Sequence, residues 1–170
     1  MRNVVAILGS PFSQSSSEKI VRLILDSLNS NEWTATVIDL SKISADDLLL
    51  RSKGPELDQA LNKTIEADLI IPASPTYRAT YTGLLKVFFD QMPPESLSGS
   101  YVLPVQTGGS PHHSLSIEHG MVPMVRSLGA LVLANTIYAW SEQWNKDGSA
   151  GADLISMIHD SVEEISRLYG

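Results

Sequence analysis

VVAILGSPFSQSSSEKIVRLIL, residues 4–25, is the stretch from which the fold can be read. Val4 to Leu8 are apolar at every position, which suits a strand covered on both faces rather than one that alternates between core and solvent. A loop of glycine and serine comes next. Beyond it, Ile20, Leu23, Ile24 and Leu28 recur near a period of 3.6, with Val21 and Leu25 widening the stripe, so Glu18 to Leu28 reads as an amphipathic helix.

The same unit recurs along the chain. TATVID (34–39), DLIIPA (68–73), YVLPVQ (101–106) and LVLANTIYAW (131–140) read as further strands, separated by helical spacing in Glu56–Glu66, Gly83–Gln91, Ser114–Leu128 and Asp153–Tyr169. Strand and helix alternating in this way imply βαβ units with right-handed crossovers, hence a three-layer α/β sandwich around a parallel sheet. The expected sheet has five strands in the order 2-1-3-4-5. Ser41–Glu56 is irregular and is expected to place a short helix over one edge. Ser141–Gly151 is rich in turn residues and is expected to form a mobile loop.

Composition narrows the function. The 170 residues are 43% hydrophobic, enough for one core, and residues 1–170 read as one domain. With 12 Lys+Arg against 19 Asp+Glu the formal charge is −7, and no basic cluster offsets it, so nucleic acid is disfavoured as a partner. The absence of cysteine excludes disulfides and thiolate chemistry. No apolar run is long enough for a membrane span, and MRNVVAILGS is too short in apolar length for a signal peptide, so the expected location is the cytoplasm.

In open α/β sheets, ligands bind outside the carboxyl ends of the strands, where the strand order reverses. Strands one, three and four run into the loops GSPFSQSSS, SPTYRATYTG and TGGSPHHS. All three would share one rim. In the first loop, Gly9 permits an unusual turn and Ser15, Ser16 and Ser17 stand at a helix start, where free N–H groups and the dipole favour an anion. The same residues also read as a plain N-cap, with Ser15 and Glu18 forming an S-x-x-E capping box. Neither G-x-x-x-x-G-K-[ST] nor G-x-G-x-x-G is present, which disfavours a triphosphate or a Rossmann-bound dinucleotide and leaves a single phosphate.

The second loop combines Pro75, Tyr77, Tyr81, Arg78 and three threonines, a mixture suited to a flat heterocycle, although its tyrosines could equally complete the core. In the third, Gly108 and Gly109 allow backbone to approach a ligand. Adjacent His112 and His113 point in different directions with no third ligand evident, so no metal site is expected. Lys86 and Asp90 stand four apart and are spaced to pair on a helix surface or at a subunit contact.

Together these three loops, extended to SPTYRATYTGLLKVFFDQMP and TGGSPHHSLSIEHGMVPMVRSLGA, resemble the NAD(P)H-dependent FMN reductases of flavodoxin-like fold. The likeness spans about residues 1–140 and is closest to the reductases that supply reduced flavin to two-component alkanesulfonate monooxygenases. It implies FMN and NADPH or NADH as cofactors and hydride transfer without a catalytic acid or base. It assigns Ser10, Ser15, Ser16 and Ser17 to the FMN phosphate, and Pro75, Thr76, Tyr77 and Arg78 to the flavin ring. Thr107, Gly108, Gly109 and His112 fall at the pyrimidine edge. It further implies a dimer or tetramer, a monooxygenase partner, and a π-bulge or subunit contact at His119. Two departures stand out. Many relatives carry arginine in the phosphate loop where this chain has Pro11-Phe12, and the segment beyond Trp144 is short.

Two rival readings share the fold. One is an enzyme that retains FMN and reduces quinones, azo dyes or metal oxyanions. The other is a flavodoxin-type electron carrier, against which the absence of a T-x-T-G-x-T loop argues.

Overall fold

The computed structural model describes residues 1–52 and 54–170; Lys53, within the irregular stretch Ser41–Glu56, lies outside them. The sheet is parallel throughout; β1 (Arg2–Leu8) pairs with the edge strand β2 (Trp33–Asp39) on one side and with β3 (Leu69–Pro75), at the middle of the sheet, on the other. Beyond β3 the expected fourth strand is split into β4 (Tyr101–Val102) and β5 (Val105–Gly108). The expected fifth is split into β6 (Leu131–Val132) and β7 (Ile137–Trp140). Seven segments therefore occupy the five expected positions, in flavodoxin-like order.

Each break has a local cause. Pro104 lacks an N–H and interrupts the fourth strand, although Leu103 N still donates to Ile70 O at 2.9 Å. In the fifth strand, the Glu164 carboxylate accepts the N–H groups of Ala134 and Asn135, each at 2.8 Å, drawing that backbone out of the ladder.

Alternation along β1 assigns the two faces. Val4, Ala6 and Leu8 pack with Ile20, Val21 and Ile24 of α1 (Ser16–Ser27) and with Leu154, Ile158 and Ile165 of α6 (Ala152–Tyr169). Val5 and Ile7 face the other way, towards Leu57 of α3 (Pro55–Ile65), Leu85 and Phe88 of α4 (Gly83–Phe89), and Val125 of α5 (Val122–Arg126). The short helix expected over an edge is α2 (Ala45–Leu48). No described helix is long and apolar enough to cross a membrane.

The expected helix over Ser114–Leu128 is not uniformly α-helical. It begins with a π-helical turn, Ile117–Met121, before α5. Pro123, which has no N–H to donate, follows directly on that turn, whose i→i−5 pattern ends with Val122 N donating to Ile117 O.

Phe88 is completely buried and stacks edge-on with Phe89 at a centroid distance of 5.6 Å. Phe88→Ala should lower the unfolding free energy by about 3–5 kcal/mol in urea titration, through lost transfer energy and the cavity left behind.

Candidate functional site

The carboxyl ends of β1, β3 and β5 lie side by side, as Leu8 pairs with Ala73 and Pro75 with Thr107. The loops leaving them enclose a cavity of about 500 Å³, lined by Ser10, Phe12 to Ser16, Pro75 to Tyr77, Thr107 to Gly109, Ser141 and Trp144.

The first loop is braced from within. Ser10 Oγ donates to Phe12 O at 2.9 Å and accepts from Phe12 N at 3.1 Å. Ser15 caps α1 by accepting Glu18 N at 3.2 Å, and Glu18 Oε2 reaches back to Gln14 N at 2.7 Å. The capping reading is thus satisfied, with the glutamate serving the residue before the cap. Ser17 is buried and its hydroxyl lies 3.1 Å from that of Ser15, so it supports the loop from beneath and does not line the cavity. Ser13 and Ser16 do line it, at a helix start whose first N–H groups have no intrahelical acceptor.

The second loop is tied to the first by Thr82. Its hydroxyl donates to Gly9 O at 2.6 Å and accepts Leu85 N at 3.2 Å, while its N–H donates to Ser74 Oγ at 2.9 Å. Tyr77 is 42% exposed at the cavity wall, and the Arg78 guanidinium sits 5.5 Å from its ring centroid, outside the lining.

The third loop is joined to the second twice. Thr76 N donates to Thr107 O at 2.7 Å, and the buried Gln106 amide donates to Thr76 Oγ1 at 2.9 Å. Below it, Tyr138 Oη donates to Ser110 O at 3.0 Å. His112 lies on an exposed 3-10 turn, Pro111–His113, and is not among the lining residues. His119 is exposed within the π turn. That turn abuts the second loop, because a Cβ at Gly120 would come within 2.5 Å of Thr80 Oγ1.

Sequence reading missed Phe12, Ser13, Gln14, Ser141 and Trp144. The stretch read as a mobile loop carries hydrogen bonds of its own and supplies part of the cavity wall: Asn145 N donates to Ser149 O at 2.9 Å, Gly151 N to Gln143 O at 2.8 Å, and Trp144 bridges to Ala150. A large aromatic inside an otherwise polar, turn-rich segment was the available signal. Among the described residues no carboxylate lines the cavity, so its donors are hydroxyls, amides and backbone N–H groups. Lys86 and Asp90 pair elsewhere, on α4, where the hydrogen bond to Asp90 holds the Lys86 ammonium above its usual range.

Residues 2–145 match the family model described as NADPH-dependent FMN reductase. The chain belongs to that family. It is 30% identical to an FMN reductase (NADPH) of Escherichia coli, over 82% of this chain and 74% of that protein. It is also 30% identical to an NADH-dependent FMN reductase of Pseudomonas putida, over 99% of this chain and 92% of the relative. The crystal structure of an apo NADH:FMN oxidoreductase superposes with a TM-score of 0.85 at 29% identity, covering 98% of this chain and 90% of the other.

Gly108 marks a tight position in the third loop of this FMN reductase family member. A Cβ there would lie 2.1 Å from Tyr138 Oη and 3.1 Å from its Cζ. Gly108→Ala should displace Tyr138, release Ser110 O and lower stability by about 1–3 kcal/mol in thermal or urea unfolding. Adding Tyr138→Phe, which removes the closest atom, should recover part of that loss.

Proposed function

We propose that this protein catalyses NAD(P)H-dependent reduction of FMN and passes the reduced flavin to a separate monooxygenase. The observation that carries the reading is the convergence of three braced loops on one cavity with neutral donors at one end and aromatic surface along its walls. The donor set fits FMN. Ser13, Ser16 and the start of α1 suit a single phosphate without lysine or magnesium. Pro75 to Tyr77 offer a face for the ring, and the backbone of Thr107 to Gly109 faces its polar edge.

When bound, FMN supplies a hydride acceptor, so the protein needs no acid–base pair. The chain's own contribution is positional. Thr82 and Gln106 fix the spacing of the loops, and Tyr77 and Trp144 exclude water from the cavity walls. Ser15 and Ser17 support the phosphate site indirectly, through the cap and the buried hydroxyl pair. In this reading Ser10 shapes the loop, Arg78 and His112 flank the site from outside, and residues 1–170 act as one flavin-binding unit.

We further infer a cytoplasmic homo-oligomer, dimer or tetramer, with the π turn and His119 at a subunit contact. Its support is Leu115, 64% exposed on the approach to that turn. Light scattering should give a mass of two or four chains.

Purified apo-protein should oxidise NADPH or NADH only when FMN is added, with reduced FMN recovered in the filtrate. FMN retained through dialysis, with turnover confined to quinones or dyes, would overturn the release of reduced flavin. Ser16→Ala should weaken FMN about ten- to hundredfold, the scale of one hydrogen bond to a charged group, and leave riboflavin affinity unchanged.

A further inference from the structure

A second cavity, of about 390 Å³, lies behind Trp144. This indole lines both it and the larger cavity, so the two are neighbours across one side chain. Leu23, Ala150 and Ile155 complete an apolar floor, and Lys19 and Arg22 stand at its edge. The loop forming the far side is held by the Trp144–Ala150 bridge, and Asn145 Nδ2 donates to Ser149 Oγ at 3.0 Å.

Three features single this place out. First, Ser16, Lys19 and Leu23 have the three- and four-residue spacing of one helical face, so α1 runs continuously from one cavity to the other. Their offset along the axis is one to two turns, roughly 5–10 Å, which the pyrophosphate of a dinucleotide can bridge. Second, the charge is asymmetric. Arg22 is engaged by Glu18 at 2.6 Å, whereas Lys19 has no carboxylate within ion-pair distance among the described residues and rests 5.7 Å from the Trp144 ring centroid. In a chain of formal charge −7, this exposed cation beside an apolar floor is suited to a phosphate. Third, an indole with aliphatic neighbours provides surface for a flat base.

We infer that this cavity takes the adenosine 2′-phosphate end of NADPH, with Lys19 contacting the 2′-phosphate and the apolar floor receiving the base. The inference rests on the FMN-reductase reading, since the nicotinamide must reach a flavin in the larger cavity. It assigns the protein a preference for NADPH over NADH. It also places Trp144 between the flavin cavity and the adenosine end of NADPH.

The test uses the full chain and adenosine 2′,5′-bisphosphate, titrated by calorimetry into wild type, Lys19→Glu and Lys63→Glu. The last makes the same charge change on α3, away from both cavities. Lys19→Glu should weaken the bisphosphate about tenfold, the scale of one charge-assisted contact, with Lys63→Glu shifting it less than about twofold. Adenosine 5′-monophosphate should respond less to Lys19→Glu than the bisphosphate does. In turnover, Lys19→Glu should raise the KM for NADPH and leave that for NADH unchanged. Equal bisphosphate affinity in wild type and Lys19→Glu would overturn the site, as would an equal loss of FMN affinity, which would assign Lys19 to the flavin phosphate. Either result with wild-type NADPH:FMN turnover intact leaves the reductase reading standing. Absence of that turnover in wild type would instead remove the reading itself.

Discussion

The Thr82 hydroxyl stands between two loops that are far apart in sequence. By donating to Gly9 O and accepting Leu85 N, it joins the end of β1 to the start of α4 in a region closed to water. A buried hydroxyl left without these partners would cost about 1–3 kcal/mol, so the arrangement is selected against loosening. Its closeness also explains Gly9: a Cβ there would stand 2.8 Å from Leu85 Cβ. The first loop leaves the sheet at a position set by Thr82, and the second and third loops are then fixed to each other through Thr76.

Much of the architecture was legible because the strands are apolar at successive positions and the helices carry one clear stripe. β1 and β2 begin and end within two residues of their expected limits. The split strands were less visible. Pro104 was present in YVLPVQ, but a proline can sit at a strand break or on an edge, and only the neighbouring ladder decides. The break at Ala134–Asn135 was hidden entirely, since its cause is Glu164, about thirty residues away on α6. Long-range side-chain-to-backbone contacts leave no local pattern to read.

The site shows the same division. Ser10, Ser15, Ser16, Pro75 to Tyr77 and Thr107 to Gly109 meet at one cavity because strand ends in a parallel sheet must share a rim. Ser17 is buried instead, because it falls on the core-facing side of α1 with Ile20, Val21 and Ile24. Trp144 was obscured by its neighbours: turn-forming Asn, Asp and Gly suggested mobility and gave no sign of the hydrogen bonds that shape the segment into part of the cavity wall.

At the opposite end of the sheet, Tyr169 stacks edge-on against Trp33 at 4.9 Å and Tyr101 at 5.4 Å, and its hydroxyl donates to Asp68 O. Arg2 donates to the carbonyl of the same residue and lies 5.1 Å from its ring centroid. Residues 2, 33, 68, 101 and 169 come from the opening of four strands and the last turn of α6. During synthesis this clasp cannot close until residue 169 has left the ribosome, so the amino ends of these strands go without it until α6 has been made.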